Sequence, residues 1–252
     1  MVVFCELAYN LFGFCLVVLP GKMYDVSETI KQHIADFFAQ YPTYTYKKGE
    51  ILLRPDDEVE EIINIESGYA KSYSINEEGY NLVINIYKPY SFLPITETLA
   101  ERTNPYFFEA MTDIVVQKAP TKDVHEFIKQ DKEVLYDLTR RISSGLEGFM
   151  IRTQYLIRSN ATQKVTSALV LLARRFGEEI GENQMRILLP QTHADIADMS
   201  GCTRETASIE LKKLQDDGVI SIEKKLITVL DFEELRQLSA IYYEDEPLPY
   251  SF

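Results

Sequence analysis

The chain has 252 residues, 46 % hydrophobic and 26 % charged, a balance that excludes a wholly disordered polypeptide. With 26 Lys and Arg against 39 Asp and Glu, its net charge of −13 excludes a uniformly basic nucleic-acid coat protein. Three cysteines, Cys5, Cys15 and Cys202, make no disulfide framework, so a reducing, cytoplasmic setting is expected.

The apolar run from Leu7 to Leu19 falls short of the about 20 residues that a spanning helix needs. It also lacks the basic flank and small-residue cleavage site of a secretory signal. No membrane partner is expected. Residues 1–22 are read either as a hydrophobic extension on the folded protein or as lying upstream of the true start, and translation beginning at Met23 is the favoured reading.

From Tyr44 to about Gln117 the apolar runs Ile51–Leu53, Ile62–Ile65 and Leu82–Tyr87 are punctuated by turn residues such as Glu66-Ser67-Gly68. Many short strands with tight turns predict an antiparallel β-roll over residues 23–130, part of an α+β protein. Within Leu82–Tyr87, strict alternation puts Leu82, Ile84 and Ile86 on one face.

After Pro120 the period becomes helical. Ile128, Leu135, Ile142, Phe149 and Leu156 recur every seven residues, the seam of two paired helices. Among the companions Leu138 is apolar, whereas Gly145 and Arg152 do not fit. A long dimerisation helix over 131–158 and a homodimer are therefore expected, the alternative being a helix packed on its own domain. Ser159-Asn160 stops and restarts the chain, Asn160 capping a helix through the run Val165 to Phe176 that Gly177 to Gly181 ends. Residues 158–231 hold 10 Lys and Arg against 11 Asp and Glu, so the acidity lies elsewhere.

The stretch from Thr192 to Ala207 reads as two short helices joined by a tight turn. Thr192 caps the first, Gly201 takes a turn position suited to positive φ, and Thr203 caps the second. Ala207, Leu211 and Leu214 fall on one side of the second helix; Arg204, Glu205, Ser208, Ile209 and Lys212 fall on the other. A polar face that begins at a helix N-terminus suits a DNA major groove, where Arg bonds guanine and Glu accepts from cytosine. His193, beside the first cap, joins the residues expected to face DNA. A hairpin follows, Gly218 to Ile222 and Leu226 to Leu230, with Lys224 and Lys225 at its tip for phosphates; Ile187–Leu189 is a candidate third strand. The whole predicts a winged helix-turn-helix over 159–231, then a C-terminal helix and acidic tail over 232–252.

This stretch resembles the DNA-binding domain of the Crp/Fnr family of bacterial transcription regulators. The matching residues are Thr192, Ile196, Ala197, Gly201, Thr203, Arg204, Glu205, Thr206, Leu211 and Leu214, followed by Asp217-Gly218-Val219-Ile220. Upstream, Gly49, Ile51 and Ile65 to Lys71 resemble the first turns of the family's cyclic-nucleotide-binding-like, jelly-roll-like β-roll. The resemblance implies double-stranded DNA with a palindromic operator as partner, a homodimer, and RNA polymerase as a further partner. Two residues depart from the family. Ile209 stands where a second arginine is frequent, and Glu210 replaces a usually apolar residue, which predicts a tilted or loosened recognition helix.

The family's cyclic-AMP cassette pairs a Gly-Glu turn with an Arg-Ser/Thr-Ala step. The corresponding stretches here, Pro89 to Pro94 and Asn104 to Ala110, contain neither. Arg102 is the only basic residue between Lys88 and Lys118, and so the one candidate for a displaced phosphate ligand. A cyclic phosphate needs backbone donors and a guanidinium, so cyclic-nucleotide binding is not expected, and the effector stays unassigned. Three cysteines fall short of an iron–sulfur set, and His33, His125 and His193 are too scattered for zinc. His33 and His125 are read as helix-surface residues. No cofactor, metal or catalytic constellation is expected, hence no enzyme. A degenerate sensor acting as a protein-interaction module is the alternative function.

Overall fold

The computed structural model describes residues 26–241. The hydrophobic extension over 1–22, with Cys5 and Cys15, and the end of the acidic tail lie outside the described residues.

Helix α1 (Glu28–Phe38) starts on a Ser27 cap and buries Ile30, Ile34 and Phe38. The roll follows: β1 (Thr43–Tyr46), β2 (Ile51–Leu53), β3 (Glu61–Ser67), β4 (Ala70–Ile75), β5 (Asn81–Tyr87), β6 (Phe92–Leu93), helix α2 (Ile95–Leu99), β7 (Phe107–Ala110) and β8 (Ile114–Pro120). The strands form two antiparallel four-stranded sheets, ordered β1-β8-β3-β6 and β2-β7-β4-β5. Leu52, Ile63, Ile65, Leu93, Phe108, Ile114 and Val116 fill the space between them. Gly68, at φ 87°, makes the β3–β4 turn, where a Cβ would stand 2.5 Å from the Asp113 carbonyl oxygen.

The alternation expected for β5 fails at one point. Ser72 pairs with Asn85 and Tyr73 with Val83, so β5 carries an extra residue at Ile84. That bulge turns Val83 and Ile86 to the same buried side and leaves Leu82 exposed.

Helix α3 (Thr121–Gln130) ends at Asp131, which is extended and whose carboxylate caps helix α4 (Lys132–Arg158) through the Glu133 and Val134 amides. His33 Nδ1 lies 2.6 Å from the same carboxylate, and His125 Nε2 lies 3.1 Å from Thr98 Oγ1. Both rings are thus partnered and part-buried, not plain surface. Ile128 sits in α3, ahead of the break, and is buried with Val134 and Leu138 against α1 and the roll. This corrects the expected seam: Ile128 and Leu138 belong to the chain's own core. The open row of α4 is Leu135, Thr139, Leu146, Phe149 and Ile157, with Ile142 and Thr153 half-buried along it. Leu146, Phe149 and Ile157 are 55 %, 57 % and 73 % exposed.

Helix α5 (Ala161–Phe176) begins on a reciprocal cap between Asn160 and Gln163. Gly177 does end it, but Gly177–Gly181 is strand β9, paired with β10 (Gln184–Ile187). Strand β10 ends at Ile187, so the third strand lies earlier than Ile187–Leu189. Helices α6 (His193–Ser200) and α7 (Arg204–Asp216), strands β11 (Ile220–Glu223) and β12 (Leu226–Val229), and helix α8 (Phe232–Leu238) complete the described chain. The C-terminal sheet has the order β11-β12-β10-β9. One core joins Val165, Leu169, Leu172, Ile196, Leu211, Leu214, Val229 and Leu235 to Val83 and Ile86 of the roll.

Candidate nucleic-acid interface

The Thr192 hydroxyl accepts from the Asp195 amide, and the Asp195 carboxylate accepts from the Thr192 amide, closing a capping box at the start of α6. Ile196, Ala197 and Met199 face inward. Gly201 ends α6 at φ 61°, and a Cβ there would stand 3.3 Å from Leu156 Cδ2. Leu156 is accordingly half-buried against the turn, off the open row of α4. Thr203 accepts from the Thr206 amide at 3.2 Å and starts α7.

Ala207, Leu211 and Leu214 of α7 are buried, and Arg204, Glu205, Ile209 and Lys212 are exposed, Ile209 by 67 %. Ser208 is half-buried and lies 2.9 Å from His193 Nδ1, so these two polar side chains bridge the helix pair. Glu210 accepts a 2.8 Å bond from Thr162 of α5. The helix is therefore tied down at the residue expected to loosen it. A carboxylate is accommodated because a hydroxyl meets it at the rim of the core.

Lys224 and Lys225 form the two-residue turn between β11 and β12, both exposed and both at positive φ, 48° and 70°. Such turns favour Asn-Gly, because a left-handed conformation costs an ordinary residue about 1–2 kcal/mol. The wing keeps two lysines where backbone preference disfavours them. The Lys225 carbonyl accepts from the Gln191 amide at 2.8 Å, fixing the wing tip beside the start of α6. Cap, turn, exposed helix face and wing are thus built as one unit.

Arg102 is exposed in the loop after α2, its amide bonded to the Glu97 carbonyl. Phe108 is core between the sheets, and Phe107 stacks on Tyr73 with ring centroids 5.3 Å apart. No group of His, Cys, Asp and Glu among the described residues is arranged to hold a metal. No described helix is long and apolar enough to cross a membrane.

Sequence reasoning missed a polar contact between the roll and the helix pair. Lys71 of β4 is 8 % exposed, with Nζ 3.5 Å from Glu109 Oε1 and 3.6 Å from Asp195 Oδ1. Burial raises the neighbouring Asp198 carboxyl above the usual range, against the opposing pull of Lys71. It also missed Arg152 and Arg175, which reach backbone carbonyls of β5. A signal existed for Arg175: it follows Ala168 and Leu172 at helical spacing on the buried stripe of α5.

Two family models match the chain, a cyclic nucleotide-binding domain over residues 44–131 and a Crp-like helix-turn-helix domain over 163–238. The chain is 25 % identical over 200 residues to a fumarate and nitrate reduction regulatory protein of Vibrio cholerae, covering 79 % of each. Among solved structures it resembles a CRP/FNR-family transcriptional regulator from Thermus thermophilus. That match has 26 % identity and a TM-score of 0.62, and it covers 78 % of this chain and 97 % of the other. FixK2 from Bradyrhizobium japonicum shares the fold at TM-score 0.67 and 21 % identity, over 81 % and 99 % of the two chains. With a nucleotide-binding-type roll, a long helix and a winged helix-turn-helix in that order, the chain belongs to the Crp/Fnr family of DNA-binding transcription regulators.

Proposed function

We propose that the chain binds a palindromic DNA operator as a homodimer and answers to an effector other than a cyclic nucleotide. The observation that carries the reading is the exposed face of α7, Arg204, Glu205, Ile209 and Lys212, mounted on a capped, buried helix pair beside a lysine-tipped wing. In this reading α7 enters the major groove. Arg204 gives paired hydrogen bonds to a guanine, Glu205 accepts from a cytosine amino group, and Ile209 meets a thymine methyl. Thr192, His193, Thr203, Ser208 and Lys212 line the backbone on either side, and Lys224 and Lys225 meet phosphates one groove away.

The open row of α4 supplies the dimer, because large apolar side chains on a 27-residue helix are left without a cover. Two such protomers present two copies of α7, which requires a two-fold symmetric site. RNA polymerase is the partner the family role implies. In the roll, the stretch that holds the family's phosphate cassette carries only Arg102 as a base, and that residue is exposed. Selection of bound sequences from a random duplex library tests the proposal. A palindrome with half-sites about 10 base pairs apart is expected; enrichment of no motif refutes it.

A further inference from the structure

The polar row on α7 is interrupted at Ser208. Arg204, Ser208 and Lys212 follow one another at four-residue spacing, and so lie along one side of the helix. Arg204 and Lys212 are exposed, whereas Ser208 is half-buried, with its Oγ 2.9 Å from His193 Nδ1. This hydroxyl departs from the habit of the chain. Thr139, Thr153, Thr166 and Ser200, all within helices, donate to the carbonyl four residues back. Ser208 makes no such bond, and among the described residues its only partner is His193. A hydroxyl with a single ring nitrogen in reach gives that nitrogen its proton. Nδ1 is then the acceptor, and the hydrogen of the neutral imidazole sits on Nε2.

Nε2 has no partner among the described residues, yet it is not sealed from solvent. His193 opens α6, the first helix of the pair, and in a helix-turn-helix that helix crosses the DNA backbone. Two residues earlier, the Gln191 amide donates to the Lys225 carbonyl at 2.8 Å, so His193 joins the wing tip to the row of α7. Asp195, the acidic residue of this first turn, is engaged by the Thr192 cap and stands 3.6 Å from Lys71 Nζ. An N–H held at this place lacks an acceptor of its own, and a backbone phosphate supplies one.

We propose that Ser208 is a positioning residue, which fixes the His193 ring in its Nε2–H form so that Nε2 donates to one DNA phosphate in each half-site. The proposal deepens the DNA-binding reading above and rests on it; Ser208 acts on DNA only through the imidazole. Nitrogen NMR of the full chain with labelled histidine, at pH 8, reads the ring directly, because the chain has three histidines and His193→Gln assigns the signals. The parent is expected in the Nε2–H form, and Ser208→Ala is expected to mix the two forms. On the duplex obtained by selection, a methylphosphonate replaces each backbone phosphate in turn. At one position per half-site the parent is expected to lose about fivefold in affinity, the factor that one net hydrogen bond supplies. His193→Ala is expected to be weaker by that factor on the unmodified duplex and to lose nothing further at that position. His193→Gln, which keeps a donor, and Ser208→Thr, which keeps the hydroxyl, are expected to bind within about twofold of the parent. Ser208→Ala is expected to bind about threefold more weakly, and its double variant with His193→Ala no more weakly than His193→Ala alone. Should His193→Ala lose its folded circular dichroism spectrum, His193→Phe, which keeps a ring without a donor, takes its place. An Nδ1–H ring in the parent, additive losses in the double variant, or a donorless variant that keeps the parent's sensitivity to the methylphosphonate overturns the proposal. A parent chain that binds no duplex refutes the DNA-binding reading and the phosphate contact with it, while the tautomer still decides whether Ser208 orients the ring.

Discussion

Replacing Leu146 and Phe149 by Asp strikes the middle of the open row of α4. The two side chains are 55 % and 57 % exposed, which together equals about one large apolar side chain left uncovered per protomer. Covering that area in a dimer is worth about 1.5–3 kcal/mol per protomer, or about 3–6 kcal/mol per dimer. Its loss raises the dimer dissociation constant by about a hundredfold to ten-thousandfold, before counting facing carboxylates. Neither residue joins a core cluster of the chain, so the protomer should keep its fold. Sedimentation equilibrium across concentration, with circular dichroism as the fold control, reads the outcome. A double variant that stays dimeric with a dissociation constant within tenfold of the parent would refute the pairing of α4.

Replacing Lys224 by Asn, which relieves the left-handed strain in part, and Lys225 by Gly, which relieves it at the cost of more chain entropy on folding, should stabilise the chain by about 1–2 kcal/mol while weakening binding to every duplex tested; thermal melts and fluorescence anisotropy give the two signs. Cyclic AMP and cyclic GMP should produce no heat in calorimetry and no change in DNA affinity; micromolar binding of either contradicts the reading of the roll. Thr203→Ala removes the cap of α7 and should cost about 1 kcal/mol in urea unfolding, whereas an effect below about 0.3 kcal/mol means that the cap is dispensable.

The helix-turn-helix was legible because its signals are local. Thr192, Gly201 and Thr203 each answer to the backbone of the next few residues, and the structure puts a cap, a positive φ and a cap at those positions. The α4 row was half legible. A seven-residue column shows that Leu135, Ile142 and Phe149 share a side, but not whether their companions stand three or four residues on. The roll decides it by covering Val134, Leu138 and Arg141, which leaves Thr139, Leu146 and Thr153 as companions. Ile128 matched the column by spacing alone, since Asp131 breaks the helix between them. The β5 bulge and the Arg152 contact to β5 were illegible, because each depends on what a distant element lays against an edge strand, whereas Arg175 left a trace in its spacing on the buried stripe of α5. Glu210 was misread for the same reason: its partner, Thr162, lies 48 residues away in sequence.

The central claim is that α7 reads bases and the wing grips phosphates. Anisotropy titrations of Arg204→Ala and Lys224→Ala, against the selected duplex and single-base variants across a salt series, test it most directly. Arg204→Ala should lose about 1–3 kcal/mol and its preference at one base pair per half-site, with the salt dependence almost unchanged. Lys224→Ala should weaken all duplexes alike and lower the salt slope by about one for each phosphate it no longer neutralises. A parent-like base preference in Arg204→Ala, together with a changed preference in Lys224→Ala, would contradict this division of labour.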